Sequence, residues 1–256
     1  MTGEAGRVAL VTGGSRGIGR AIVVALAARG LRVAFTYREQ AARAEELADE
    51  LEARHGARPL TLAFDQETED GTAVVGEVLA RWGSIDSLVL SAGMWQGGRI
   101  DRLDPDIWWR VVEIDLRGVY RMARAAVSAV SASSAGSITI VSSMVGIAGF
   151  PGDTAYASAK AGLFGFGRSL AKELAREGTP KELAREGTRV NVLAPGFVES
   201  DATLDVSPAA RQRLRSRLLI DRFGQAEEIA TAAAFLSEDA TYMTGGVLVC
   251  DGGFSL

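Results

Sequence analysis

The feature that most constrains this chain is the segment Thr12-Gly-Gly-Ser-Arg-Gly-Ile-Gly19, set between a short apolar run, Val8 to Thr12, and an amphipathic stretch, Ile18 to Arg29. Glycines allow a tight turn and close backbone approach, and the N–H groups and dipole of the helix that follows favour an anion such as a pyrophosphate. The same alternation of short apolar run and amphipathic stretch continues almost to the end. The candidate strands are Val8 to Thr12, Arg32 to Thr36, Pro59 to Phe64, Ser87 to Ser91, Ser137 to Ser142, Arg189 to Leu193 and Val247 to Cys250. Helical patterns lie near Ile18 to Arg29, Glu39 to Arg54, Thr68 to Trp82, Pro105 to Val130, Ala155 to Glu177 and Ala226 to Leu236. Strands joined in this way form a parallel sheet buried on both faces. The expectation is an α/β fold of the doubly wound Rossmann type, with seven parallel strands, helices on both faces and a ligand crevice beyond the carboxyl ends of the strands.

Length and charge narrow the functions. A chain of 256 residues, 47% hydrophobic and 23% charged, can bury one large core, so residues 1–256 are read as one catalytic domain. A net charge of -4 offers no basic field for nucleic acid. One cysteine, Cys250, and one histidine, His55, can form neither an internal disulfide nor a His/Cys zinc site, and no metal is expected. Cys250 reads as a small buried hydrophobe and His55 as solvent-facing. The segment from Met1 to Thr12 lacks a basic stretch followed by a long apolar run, so a cytoplasmic protein away from membranes is expected. Lys172-Glu-Leu-Ala-Arg-Glu-Gly-Thr179 recurs as Lys181-Glu-Leu-Ala-Arg-Glu-Gly-Thr188. A shift of nine residues turns a helix by about half a revolution, so a continuous helix would face the second copy's apolar side outward. The expectation is a helix ending at Gly178, a turn at Thr179-Pro180 and a short helical turn before the next strand, with the repeat a tolerated surface insertion.

The cofactor end reads as selective. At the end of the second strand, where a carboxylate would hold ribose hydroxyls, stands Phe35-Thr-Tyr-Arg38, with no acid until Glu39. Arg16 in the glycine loop and Arg38 instead suit a ribose 2′-phosphate, because guanidinium groups make charge-assisted bonds to phosphate. Within the loop Gly13, Ser15, Gly17, Ile18 and Gly19 surround the phosphates. Asp65, after the third strand, is placed to meet the adenine amino group. NADPH is therefore the expected cofactor.

Tyr156-Ala-Ser-Ala-Lys160 begins a helical pattern, which puts Tyr156 and Lys160 on one face. A phenol near pKa 10 is a poor acid–base catalyst at neutral pH, and a fixed ammonium beside it favours the phenolate. Ser143, thirteen residues before Tyr156, stands at a strand end where its hydroxyl can polarise a carbonyl oxygen that Tyr156 protonates.

With the glycine loop, the Ser/Tyr/Lys set, Ala194-Pro195-Gly196 and the closing Gly245-Gly-Val-Leu-Val-Cys-Asp-Gly-Gly253 segment, the chain resembles the short-chain dehydrogenase/reductase family over its whole length. It is most similar to the 3-oxoacyl-carrier-protein reductases. The resemblance implies that Gln66, Ser91, Ala92 and Gly93 join the cofactor site, that Tyr156 and Lys160 also touch the cofactor, that Pro195, Gly196 and Val198 line the nicotinamide pocket, and that Ser200 lies near the carboxamide. It implies a homotetramer reducing a ketone, an acyl thioester or a carrier-bound acyl group foremost, in fatty acid or polyketide metabolism. Three positions depart from the family pattern. The usual Asn-Asn-Ala-Gly reads Leu90-Ser-Ala-Gly93. The catalytic asparagine of a proton relay is Asp115, whose charge is expected to raise the pKa of Lys160 and alter the pH profile. Ser131-Ala-Ser-Ser-Ala-Gly136 lacks the basic residues that dock an acidic carrier. Two other readings stay open: a secondary-alcohol dehydrogenase or carbonyl reductase on a non-thioester substrate, and a nucleotide-sensing protein without catalysis. Trp95, Trp108 and Trp109 suit a substrate mouth or, for the last two, a core or subunit contact. Arg211, Arg213, Arg215 and Arg217 suit either a lid that attracts an anionic tail or a solvated helix face.

Overall fold

In a computed structural model, residues 6–175, 187–199 and 207–256 are described. The strands are β1 (Val8–Val11), β2 (Arg32–Tyr37), β3 (Leu60–Ala63), β4 (Ser87–Leu90), β5 (Ser137–Val141), β6 (Arg189–Pro195) and β7 (Val247–Cys250), in the order β3-β2-β1-β4-β5-β6-β7. Every neighbouring pair is parallel. All residues of β1, β4 and β5 are buried, as central strands covered on both faces must be, while the edge strands β3 and β7 are only partly covered.

The pleat sorts the side chains into two cores. On β1, Ala9 and Val11 face Ile22 and Leu26 of α1 (Gly17–Ala28), Leu47 and Leu51 of α2 (Ala41–His55) and Ile229 on the first face. Val8 and Leu10 face Val78 of α3 (Thr72–Trp82), Met122 and Leu163 on the other. The remaining helices are α4 (Pro105–Val112), α5 (Val119–Ser131), α6 (Val145–Ala148), α7 (Thr154–Leu174), α8 (Pro208–Arg215) and α9 (Ala226–Ala234). The strand order reverses between β2 and β4 around β1, and the crevice opens there.

Two helices differ from the sequence expectation. The stretch Pro105 to Val130 is not one helix: after α4, Glu113–Gly118 widens into a π-helical turn before α5 begins. The third helix starts at Thr72 rather than near Thr68, because Gly71 adopts a left-handed conformation with φ 84° and the Asp70 carboxylate accepts from the Thr72 N–H. Cys250 is half-buried rather than fully enclosed, and burial pushes its thiol pKa up. The helix expected to reach Glu177 is described to Leu174 with its cap at Ala175. The expected break at Gly178 and turn at Thr179-Pro180 lie outside the described residues.

Candidate active site

The glycine loop is built by close approach. A Cβ on Gly13 would stand 2.9 Å from Ala92 Cα, and one on Gly19 would stand 2.1 Å from the Gly13 carbonyl oxygen, so neither position admits a side chain. Gly13 and Gly17 take φ of 71° and 55°. The Gly13 N–H donates to Thr36 Oγ1 and the Gly14 N–H to the Thr36 carbonyl, locking the turn onto β2. Buried Thr12 accepts from the N–H groups of Ser91 and Ala92 at 3.0 Å each, which holds the β4 turn against the loop. The N-terminus of α1 has neither a side-chain cap nor an acid in its first turn, leaving its N–H donors for an anion.

Around this loop stand the residues that would hold an adenosine phosphate. Ser15 is buried beneath the turn, and Arg16 is exposed at the head of α1. Arg38 is half-exposed and pairs with Glu39 at 2.7 Å. One Asp65 carboxylate oxygen accepts from the Glu67 N–H, bending its own loop. Arg110 of α4 grips Glu67 through two hydrogen bonds of 2.8 Å, so the helix below the reaction centre also fixes the loop beside Arg38. The Gln66 side chain is buried and donates to the carbonyls of Ala92 and Ile114.

The reaction centre gathers from three elements. Ser143 follows β5, its Oγ accepts from the Val145 N–H at 3.2 Å, and its hydroxyl is near enough to the Tyr156 phenol to pull that group's pKa down. Tyr156 and Lys160 lie one turn apart on α7, with Lys160 Nζ 5.4 Å from the Tyr156 ring centre. Ser142 fastens this helix to β5 by donating to the Lys160 carbonyl at 2.7 Å. From the π-turn, fully buried Asp115 sends Oδ1 to the Met94 N–H at 2.7 Å and Oδ2 to Lys160 Nζ at 3.4 Å. Lys160 Nζ also donates to the Val141 carbonyl at 3.3 Å.

The protonation states follow from burial. Burial holds the Tyr156 phenol above its ordinary pKa; Lys160 and the Ser143 hydroxyl pull it down, and the Asp115 and Asp153 charges push it up. The pull of the ammonium toward phenolate, expected from the sequence, is outweighed by burial. Burial also pulls Lys160 down, but Asp115 and Tyr156 together hold it above its ordinary value. Burial raises the Asp115 carboxyl, against the pull of Lys160. At neutral pH the site therefore presents a proton-bearing phenol beside an ammonium, the state an acid catalyst needs.

Tyr156 packs against an aromatic cluster. Phe197 stacks on Phe223 at 5.5 Å between centres and meets Phe254 and Phe150 edge-on at 5.3 and 5.9 Å, with Met144 and Leu218 packed alongside. The turn after β6 is drawn in because Gly196 lies where a Cβ would stand 2.5 Å from Asp251 Cα. Pro195 accepts from the Met144 N–H, and Val198 is buried beside Gly224. Ser200 lies outside the described residues. The arginines of the lid region are engaged: Arg211 with Glu199 and the Phe223 ring, Arg215 with Asp221, and Arg217 over Phe254. Two contacts had no sequence signal. Trp95 Nε1 donates to Asp153 Oδ1 at 2.9 Å and Trp108 Nε1 to Thr154 Oγ1 at 3.1 Å, so two indoles brace the helix head just before Tyr156. Trp109 packs edge-on to Trp108 and is exposed. Among the described residues no group of three or more His, Cys, Asp or Glu could hold a metal ion, and no helix is long and apolar enough to cross a membrane.

Comparisons with known proteins agree with this architecture. Residues 13–255 match the family described as enoyl-(acyl carrier protein) reductase. The chain is 38% identical to the 3-oxoacyl-(acyl-carrier-protein) reductase FabG of Salmonella typhimurium over 249 residues, covering 97% of each. It is 35% identical to that of Staphylococcus aureus, covering 96% of each. Among solved structures it is similar to a blue fluorescent protein from a metagenomic library in complex with NADPH, with a TM-score of 0.88, 33% identity and 98% of each chain covered. A short-chain dehydrogenase from Burkholderia cenocepacia in complex with NADP matches with a TM-score of 0.87 and 31% identity over 98% of each chain.

Proposed function

Because the chain belongs to the short-chain dehydrogenase/reductase family, we propose that it is an NADPH-dependent ketoreductase whose foremost substrate is a 3-oxoacyl thioester, reduced to the 3-hydroxyacyl form. The observation that carries this reading is Tyr156 one turn from Lys160 on α7, with Lys160 buried beside it, Ser143 just after β5, and an uncapped α1 N-terminus whose N–H donors are left for an anion. The description enoyl reductase and the name 3-oxoacyl reductase concern different bonds. Two hydroxyl groups converging on one point suit a carbonyl oxygen, which accepts both a hydrogen bond and a proton, better than a carbon–carbon double bond.

The residues present fit NADPH. The N–H groups of α1 and Ser15 would hold the phosphates, Arg16 and Arg38 the 2′-phosphate, Asp65 the adenine, and Ser91, Ala92, Gly93, Pro195, Gly196 and Val198 the nicotinamide half. When bound, the dihydronicotinamide supplies the hydride. The chain's own groups then act on oxygen: Ser143 Oγ donates a hydrogen bond to the carbonyl, and Tyr156 delivers its proton to the same oxygen as negative charge develops there. Lys160 stabilises the phenolate left behind. Asp115 orients Lys160 and takes part in returning a proton.

A homotetramer belongs to the same proposal, supported by exposed Trp109 and Tyr120 on α4 and α5 and by exposed Val249 on β7, and a cytoplasmic location goes with it. An acyl carrier protein is the partner this reading implies. A second reading, a carbonyl reductase acting on non-thioester ketones, is favoured by Arg211, Arg215 and Arg217, which are already engaged with acids and rings. The test is nicotinamide oxidation with acetoacetyl-CoA and a panel of plain ketones, each with NADPH and NADH. Turnover of the thioester with NADPH supports the first reading, and turnover of plain ketones alone supports the second. No turnover with either removes the enzyme reading.

A further inference from the structure

Gln66 is 6% exposed, and its amide faces inward from the loop after β3. Nε2 donates to the carbonyl of Ile114 at 2.8 Å and to that of Ala92 at 3.2 Å. Both neighbours are acceptors, so the amide has one sensible orientation, nitrogen toward them. These two carbonyls belong to the residues immediately before Asp115 and Gly93. A Cβ on Gly93 would stand 3.0 Å from Asp115 Oδ1 and 3.3 Å from Lys160 Nζ, so the β4 turn and the ion pair share one close contact. The π-turn accepts Gln66 because residue 118 is glycine, where a Cβ would meet Gln66 Cγ at 2.3 Å. One side chain thus ties the adenine-side loop, the β4 turn and the π-turn together at the point where Asp115 projects toward Lys160.

The geometry points to Gln66 as a positioning residue of the reaction rather than a contact to the cofactor: its two hydrogen bonds hold the π-turn and the β4 turn in the register that places Asp115 against Lys160. This inference rests on the ketoreductase reading for its kinetic test but not for its spectroscopic one. A buried carbonyl deprived of its donor must find another or move, and a small displacement of an acid–base pair is costly in rate.

Gln66→Met keeps length and volume and removes both donors; Gln66→Glu keeps the shape and, when protonated, one donor. In the Met variant kcat for the ketone is expected to fall about tenfold or more, with the Kd of NADPH unchanged within about twofold. The Glu variant should recover part of that loss as pH is lowered, and the Met variant should not. The carboxyl carbon of Asp115, followed by NMR across pH without cofactor, should titrate differently in the Met variant and in the parent. A raised Kd for NADPH with kcat intact would make Gln66 a cofactor contact and overturn the inference. A lowered melting temperature with unchanged kcat, pH profile and Asp115 titration would reduce it to a structural residue. If the parent reduces no ketone, the ketoreductase reading fails, and the Asp115 titration alone decides: altered in the variant it upholds the positioning role, unaltered it overturns it.

Discussion

Asp115 Oδ2 and Lys160 Nζ lie 3.4 Å apart in the interior, and that carboxylate oxygen has no hydrogen-bond donor within closer reach. A pair this enclosed acts mainly through the protonation of its neighbours. The Asp115 charge raises both Lys160 and Tyr156, so Asp115→Asn must lower both. Reduction needs the neutral phenol, and its alkaline limb should move to lower pH. Oxidation of the alcohol needs the phenolate, and its acid limb should move down as well. Profiles of kcat/KM against pH in both directions check this, and limbs that stay in place would remove Asp115 from the proton chemistry.

Gly93→Ala probes the same pair sterically. The added methyl carbon would stand 3.0 Å from Asp115 Oδ1 and 3.3 Å from Lys160 Nζ, tighter than ordinary contact and against groups fixed by packing. Overpacking of this kind costs about 1–3 kcal/mol. The expected outcome is a lower melting temperature and a kcat reduced about tenfold, measured by thermal denaturation and steady-state kinetics. A variant with parental kcat would show that the pair can shift without consequence for the reaction.

Arg38 pairs with Glu39 in an exposed contact, which is worth little and is readily exchanged for a doubly charged phosphate. Arg38→Leu should therefore raise the KM for NADPH about 10- to 100-fold while leaving that for NADH nearly unchanged. Comparison of the two cofactors on one ketone checks it, and an equal effect on both would move the 2′-phosphate away from Arg38.

The strands and the glycine loop were legible because their signals are local. A short valine-rich run such as Val8 to Val11, closed by a glycine turn, reads as a strand buried on both faces, and Gly13 and Gly17 take positive φ while Gly19 leaves no room for a side chain. Ser143, Tyr156 and Lys160 were legible by spacing, since a helix turn and a strand end bring them together without regard to the rest of the chain. The π-turn was not. Arg110 to Arg117 keeps an unbroken helical period, and the widening accompanies a distant contact, Gln66 entering beside Gly118. The partners of Arg211, Arg215 and Arg217 were not legible either, because Glu199, Asp221, Phe223 and Phe254 lie outside α8, where spacing along the helix does not reveal them. The indole contacts of Trp95 and Trp108 join segments about fifty residues apart and leave no periodic trace.

Trp95→Phe keeps a ring at the mouth and removes the donor to Asp153 Oδ1. Burial already raises the Asp153 carboxyl, and the indole is the group that lowers it, so its loss leaves a buried acid with one partner fewer. The cost is expected at about 1–3 kcal/mol, read as a lower denaturant midpoint. Asp153 stands three residues before Tyr156, so the loosened loop should raise the KM for the ketone several-fold while the Kd for NADPH stays put. A ketone KM equal to the parent's would place Trp95 outside the substrate path.

The nine-residue repeat makes the last prediction. Gly187 of the second copy lies against the end of α7: a Cβ there would stand 2.9 Å from the Leu174 carbonyl oxygen and 3.1 Å from Ala175 Cα. Thr188 follows, buried and 3.2 Å from Ser131 Oγ, and β6 begins at once at Arg189. The chain therefore leaves the helix near Leu174 and is back beside it at Gly187. Removing nine consecutive residues from within the repeat always yields the same sequence, in which the retained glycine follows Leu174 by four positions, the spacing of a glycine cap on a helix end. The shortened chain should fold with stability within about 1 kcal/mol of the parent, because loop-closure entropy changes slowly with loop length. Its kcat and KM should match the parent's on a small ketone, since neither Tyr156 nor Lys160 loses a contact. A shortened chain that fails to fold, or that loses activity while folded, would show that the second copy is part of the architecture rather than an insertion at a point where the two ends already meet.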